Sequence, residues 1–358
     1  MDLHNREIHL VTGGNGYIGI QVVATLLNKG FIVHTTVRNL NFQKTAALHA
    51  LLEKHPAGQL KIFEADLLTS GSFAKAMKGC SVVHHIACPF VLPQKVKDGE
   101  RQCIKPALEG TRNVLATVNE THSVRRVVLA SSLGAIYGDM RDVTDYMDGT
   151  LTEHYWNETS TSFHYPYHYS KVLAEKEAWN IAKEQSRWDM VVICPGLVLG
   201  PSLSQDGSSS GSLVMMNQIL SGQLFFGVPN LNFPTVDVRE VATAHVQAAE
   251  LAWASGRYVV AAAETCPLVD IARIYRSQDG ASKLIPKHKV PDLLFRLCAP
   301  LYGLSQYWLS RNLSVCFSLD NSRSVKDLGV RYRPLEETLA DDFRVWKEAK
   351  KTRRKTRK

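Results

Sequence analysis

The run VTGGNGYIG, residues 11–19, sets Gly13, Gly16 and Gly19 between a strand-like and a helix-like segment. The residues just before it, IHLVT, are apolar and β-branched. After it a helical pattern continues to Lys29, Gly30 stops that pattern, and FIVHTTV begins a second strand-like run. Strand, glycine turn, helix, strand is the setting in which such a triplet binds a dinucleotide. Gly13 permits the tight turn, Gly16 lets a pyrophosphate approach the backbone at a helix N-terminus, and Gly19 allows the helix to pack closely. Thr12, Tyr17 and Ile18, interleaved with these glycines, count with them as cofactor contacts.

The second strand discriminates between the two nicotinamide cofactors. An NAD site usually ends that strand on a carboxylate for the ribose hydroxyls. Here TTVRN places Arg38 at the position, with Lys44 shortly after. Two cations and no acid suit the extra phosphate of NADP(H), which a guanidinium can grip bidentately. NAD(H) is the alternative.

The same alternation recurs along the chain through LKIFEAD, a helix around GSFAKAMKG, SVVHHIA, a long helical stretch from Gln102 to Asn119, VRRVVLASS, a further helix and MVVICPG. Strands this apolar, separated this regularly by helices, belong in a parallel sheet covered on both faces. The fold class is therefore α/β: a doubly wound parallel sheet of Rossmann type over residues 1–200. A smaller substrate-binding region spans 201–349, some of whose elements return to the Rossmann core. The polar glycine-serine segment 204–212 marks the start of that region.

YPYHYSK, residues 165–171, holds three tyrosines and a lysine. A phenol titrates near pH ~10 in water and needs a nearby cation to exchange protons at neutral pH. Pro166 presets a first helical residue, and VLAEKEAWNIAKE continues with helix formers. A four-residue step returns to the same helix face, whereas a two-residue step lands opposite, so Tyr167 rather than Tyr169 shares a face with Lys171. Tyr165 precedes the proline, which biases it to extended geometry outside the helix. The serine pair Ser131 and Ser132 falls at the C-terminal end of a predicted parallel strand, where open sheets bind ligands.

At 358 residues and 45 % hydrophobic composition, the chain is long enough for a large core. MDLHNREIHL has charges where a secretory signal needs an apolar run, and no stretch reaches the roughly 18 apolar residues of a membrane span, so a cytoplasmic protein is expected. The seven cysteines never form a Cys-x-x-Cys pair and read as small buried side chains in a reducing compartment. His84, His85, His164 and His168 come with no ligand pattern of acids or cysteines, and no metal is expected. In KKTRRKTRK, residues 350–358, seven of nine residues are basic, so of the net charge of +8 only +1 is left for the body. That argues for a disordered, solvated tail with weak contact to anionic surfaces and against a specific nucleic-acid partner. Residues 291–309, PDLLFRLCAPLYGLSQYWL, are apolar but interrupted by Pro300, Gly303 and Arg296. They read as helices over the substrate cleft, with a membrane-surface patch as the alternative.

Taken in order, TGGNGYIG, the acid of EADL, HHIACP, VVLASSLG, the pair Tyr167 and Lys171, and CPGLVLGP resemble the extended short-chain dehydrogenases/reductases. Within them VRN, GSFAKAMKGC, IKPALEG, YSKVLAEKEAW and FPTVDVREVATAH are most similar to dihydroflavonol-reductase-like carbonyl reductases, a likeness that runs to about Tyr332. The resemblance implies a catalytic trio of Ser132, Tyr167 and Lys171. It implies that Asp66 and Leu67 flank the adenine, that Ala87 and Cys88 line the nicotinamide ribose, and that Pro195 of CPGLVLGP is a further cofactor contact. Plant dihydroflavonol reductases commonly carry an asparagine that reads the flavonoid ring where this chain has Tyr137, a departure from a flavonoid pocket. Asn232 matches a second polar substrate contact, and Trp156 a recurring aromatic.

The reading that results is an NADPH-dependent reductase of a ketone or aldehyde, or in reverse an alcohol dehydrogenase. Its partner is a small carbonyl or alcohol substrate. The rivals within the superfamily are a nucleotide-sugar epimerase or dehydratase and a 3β-hydroxysteroid dehydrogenase. The rival of another class is an NADPH-sensing binding module, which has no need of the serine, tyrosine and lysine together.

Overall fold

Successive residues of a strand point to opposite faces, so a strand apolar at every position must be buried on both. The computed structural model describes residues 7–88, 96–204 and 210–355, and seven strands in it, most of them buried along nearly their whole length, form one parallel sheet. They are β1 (Ile8–Thr12), β2 (Ile32–Val37), β3 (Leu60–Glu64), β4 (Val82–His85), β5 (Arg126–Ala130), β7 (Asp189–Pro195) and β10 (Gly256–Val260). Between them fall β6 (Thr150–Leu151), β8 (Leu197–Leu199) and β9 (Asn232–Asp237), and after them β11 (Thr265–Pro267) and β12 (Ser318–Leu319). Leu10 of β1 enters a core with Val83, Leu115 and Val127, while its neighbour Val11 enters another with Ile20, Val33 and Val246. Adjacent residues thus build the two covered faces.

The strand order is β10-β7-β5-β4-β1-β2-β3, with every pairing parallel. From β1 the chain winds outward through β2 and β3, then crosses back to place β4 on the other side of β1. Open sheets of this kind bind ligands at the C-terminal strand ends beside that reversal. The helix Val238–Glu250 packs on the helix Tyr17–Asn28 that follows the glycine turn, and β10 closes the far edge of the sheet. A smaller sheet of β11, β9 and β8, and the pair β12 and β6, lie outside the main one.

Several elements differ from their sequence reading. The helix expected around GSFAKAMKG is a single turn, Ala74–Met77. The long helix from Gln102 opens with a widened turn, Glu100–Ile104, in which the Lys105 N–H donates to the Glu100 carbonyl, and continues regularly over Lys105–Glu120. Pro106, which has no N–H to give, sits at the junction of the two. The basic stretch expected to be disordered from Lys350 instead extends the helix Leu335–Lys355, which Leu339 and Phe343 pin to the core. Lysine and arginine are good helix formers, and their charge favours a helix C-terminus. Residues 356–358 of that stretch, and 205–209 of the polar glycine-serine segment, lie outside the described residues.

Candidate active site

At the end of β1 the chain turns through Gly13 at φ +70°, a left-handed conformation that favours glycine. A side chain on Gly19 would reach 2.2 Å from the Gly13 carbonyl oxygen, so the helix can start this close to the strand only with glycine there. Gly14 is under the same constraint, since a Cβ would lie 1.8 Å from Thr35 Oγ1 on β2. The spacing of the triplet did not single Gly14 out; the Gly-Gly doublet was the available signal. The Thr12 hydroxyl accepts the N–H groups of Ile86 and Ala87, both at 3.0 Å, and meets His85 Nδ1 at 3.0 Å. Fully buried, Thr12 shapes the site by clipping the loop after β4 to the glycine turn.

Gly16 caps the helix Tyr17–Asn28 with no side-chain hydrogen bond, and the first turn carries no acid. Its leading N–H groups and helix dipole are therefore suited to a pyrophosphate. Tyr17 turns inward, its phenol donating to the Gly200 carbonyl at 2.6 Å, and Ile18 packs on the core, so both would reach a cofactor through the backbone. Arg38 and Lys44 are exposed and form no ion pair among the described residues, while Asn15 donates to the Lys44 carbonyl at 3.3 Å. Asp66 Oδ1 accepts the Leu68 N–H at 2.8 Å, and buried Leu67 lies against Gly110. An open helix N-terminus at the switch point, flanked by two uncommitted cations, fits a phosphorylated dinucleotide.

The two serines after β5 separate cleanly. Ser131 is buried, and its hydroxyl donates to Glu175. Ser132 heads a short turn, where its Oγ accepts the Gly134 N–H at 3.0 Å, and it hydrogen-bonds Tyr167. Tyr167 and Lys171 lie on one face of the helix Pro166–Lys183, and the Lys171 ammonium donates to the Ala130 carbonyl at 3.1 Å. Cys88 also contacts that ammonium, and it lines a cavity together with Lys171, His85, Ala87 and Thr111. Pro195 ends β7, buried.

Burial raises the Tyr167 phenol above its ordinary value, against the opposing pull of Lys171 and of the Ser132 hydrogen bond. Lys171 therefore moderates the phenol's pKa without bringing it below that of a free tyrosine. Burial works against the Lys171 ammonium too, but Cys88 and Tyr167 outweigh it and hold the lysine above its usual value. Burial presses His85 down to about 3, so it is neutral beside the ammonium. At neutral pH the site holds a protonated phenol next to a cation.

Around the trio are residues that spacing could not reveal. Tyr165 caps the helix Pro166–Lys183 at φ 55°, ψ 55°, a left-handed conformation in place of the extended one its proline neighbour suggested. Its ring stacks on His168 at 4.7 Å, and its phenol bonds Trp308, a contact from the C-terminal region that overrides the local preference. Asn157 donates to the Gly134 carbonyl at 2.7 Å and so holds the Ser132 turn from behind. Of the substrate candidates, Tyr137 is only 8 % exposed and sits edge-on to His168 and Phe317. The Asn232 amide is buried and spent on the Val315 carbonyl at 2.8 Å. Trp156 lies under the Arg257 guanidinium at 4.0 Å, in a cavity with Lys176 and Trp179 that none of the trio lines.

Residues 9–261 match the model of the NAD dependent epimerase/dehydratase family. A cinnamoyl-CoA reductase of Medicago truncatula is 33 % identical over 348 residues, covering 95 % of this chain and 95 % of the relative. An anthocyanidin reductase of Vitis vinifera is 36 % identical over 292 residues, 78 % of this chain and 82 % of its own. Among solved structures, yeast methylglyoxal/isovaleraldehyde reductase complexed with NADPH superposes with a TM-score of 0.74 at 26 % identity, covering 93 % of this chain and 96 % of the other.

Proposed function

This chain belongs to the NAD dependent epimerase/dehydratase family, the extended short-chain dehydrogenases/reductases, and we propose that within it the protein is an NADPH-dependent reductase of a ketone or aldehyde. The observation that carries this reading is the Ser132–Tyr167–Lys171 cluster at the C-terminal end of β5, on the same edge of the sheet as the glycine turn that follows β1, with β4 between them. A binding module has no use for a buried phenol held between a serine hydroxyl and an ammonium. The relatives, named as reductases, point the same way.

When bound, NADPH supplies a hydride to the carbonyl carbon. The chain's own residues meet the charge that develops on oxygen. Ser132, its hydroxyl proton not committed to the Gly134 contact, hydrogen-bonds that oxygen, and Tyr167 gives it the phenolic proton. A phenol raised by burial is protonated at neutral pH, the form a reduction needs. Lys171 offsets part of the cost of phenolate formation, and its contact with the Ala130 carbonyl keeps it in place. Arg38 and Lys44, both exposed, would hold the 2′-phosphate.

The test is a panel of aliphatic and aromatic aldehydes, ketones and acyl thioesters, followed by loss of NADPH absorbance. Stoichiometric consumption with at least one aldehyde or ketone is expected, and consumption with acyl thioesters alone would count against that substrate class. A protein that binds NADPH yet is inert across the panel, or that acts on a nucleotide sugar without net consumption, would overturn the reading.

A further inference from the structure

The helix Asp292–Cys298 has no buried residue. Leu293 and Leu297 are 74 % and 71 % exposed, and Leu301, in the turn that follows, is 86 % exposed. Beside them Phe225 and Phe226 stand out on a turn that the chain ties to the same segment. The Val228 N–H donates to the His288 carbonyl at 3.1 Å, the Val290 N–H to the Val228 carbonyl at 2.9 Å, and exposed Leu284 lies against Gly222. Large apolar side chains exposed together on connected segments of a folded chain mark an interaction surface.

The charge around the face is mainly positive. Lys283, Lys287 and Lys289 are exposed, and Arg296 is half-buried within the helix. Arg276 reaches over to the Ile285 carbonyl, and Arg273 reaches that of Lys287 while pairing with Asp270 at 2.9 Å. The one acid between residues 281 and 301, Asp292, already accepts the Ser314 hydroxyl. The C-terminal helix is moored beside the same segment by Lys347, which donates to the Asp279 carbonyl at 2.8 Å, and from there it runs on through Lys350 and Lys351 to Lys355.

We infer that this face, Leu284 to Leu301 with the Phe225–Phe226 turn, docks on an anionic lipid bilayer, its leucines and phenylalanines entering the headgroup boundary and its cations meeting lipid phosphates and carboxylates. Apolar side chains ringed by more lysine and arginine than acid are the composition of an interfacial anchor, and cations near such a surface attract anionic lipid. Self-docking fits the charge poorly, because a two-fold pairing would set these cations against their own copies. The inference does not depend on the reading of the catalytic site.

The experiment is co-sedimentation of the full chain with vesicles of phosphatidylcholine alone or with added phosphatidylserine, at low and high salt. Salt-sensitive binding to the phosphatidylserine vesicles, and little to the neutral ones, is expected. Leu293→Glu/Leu297→Glu should weaken that binding by about tenfold or more, and Lys287→Glu/Lys289→Glu by a similar factor, with thermal melting and NADPH affinity unchanged as evidence of folding. A full chain that stays in the supernatant with anionic vesicles, or binds neutral ones as well, would overturn the inference. So would leucine variants that bind like the parent while removal of residues 350–358 abolishes binding. A dimer that the leucine substitutions dissolve would give the face to a second copy and likewise overturn it.

Discussion

Glu175 is 1 % exposed on the helix Pro166–Lys183, one turn beyond Lys171. Its carboxylate accepts from Arg257 Nε at 2.7 Å and Nη2 at 3.4 Å, from the Trp179 indole at 3.3 Å and from the Ser131 hydroxyl. Arg257 is itself 7 % exposed and is anchored to the carbonyls of Glu153 at 2.8 Å and Tyr155 at 2.6 Å. In Glu175→Gln the guanidinium stays where it is, buried, with its counter-charge gone. An exposed ion pair contributes about 1 kcal/mol or less, whereas removing one partner of a buried pair costs about 3–5 kcal/mol. Gln keeps the shape and one acceptor, which sets the expected loss near the lower end, about 3 kcal/mol. Urea unfolding followed by tryptophan fluorescence measures it. Arg257→Met in the same background removes the stranded cation, so the double variant should lose less than the sum of the two single ones. A loss below about 1 kcal/mol for Glu175→Gln, or strict additivity, would refute the reasoning.

The cofactor, the buried histidines and the serine turn each supply a further test. Arg38→Asp should raise the KM for NADPH by about 10- to 100-fold and leave NADH nearly unaffected, since only the former loses a charge-assisted phosphate contact; an unchanged ratio in steady-state kinetics would contradict it. His84 and His245 are buried side by side, with ring centroids 6.0 Å apart. Burial presses His245 from 6.5 down to about 3 and His84 well below its usual value. A folded-state value this low means that the unfolded chain takes up protons the native one refuses, so stability is complete above pH 6.5 and falls on acidification toward pH 3, by about 1.4 kcal/mol per pH unit for each such histidine. His245→Leu should flatten that acid limb, as seen in urea midpoints between about pH 6.5 and pH 4; an identical slope would refute it. Asn157→Ala frees the Gly134 carbonyl behind Ser132 and should lower kcat more than it raises KM, with the opposite pattern counting against a role in holding the serine.

What could be read beforehand followed from short-range periodicities. Glycine spacing locates the turn after β1 because turn, close approach and helix packing each exclude a side chain at a set distance along the chain. Helix periodicity brings Tyr167 over Lys171 because a four-residue step is local geometry, and alternating apolar runs yield the parallel sheet for the same reason. What could not be read depends on partners far away in sequence. Gly14 is constrained by Thr35 on the next strand, Asn157 reaches back to Gly134, and Tyr165 is drawn out of its preferred conformation by Trp308. Trp156 shows the limit of a motif carried over from relatives, because Arg257 and Lys176 claim its ring from outside the trio. The C-terminal helix shows the limit of composition: a run of like charge usually signals disorder, but here it continues, as far as Lys355, a helix that Leu339 and Phe343 anchor in the core.

The central claim, that a single phenol of YPYHYSK gives its proton to the substrate, is tested most directly by single-turnover NADPH oxidation with a substrate found in the carbonyl panel. The parent is compared with Tyr167→Phe and Tyr169→Phe, with cofactor affinity measured separately. Tyr167→Phe keeps the ring and its packing but removes the proton, and should slow the chemical step by about 10²–10⁴-fold while NADPH still binds. Tyr169, on the far side of the helix from Lys171, should tolerate the same change with its rate nearly intact. A Tyr167→Phe enzyme that turns over at close to the parent rate, or a Tyr169→Phe enzyme that proves the more damaged, would contradict the assignment.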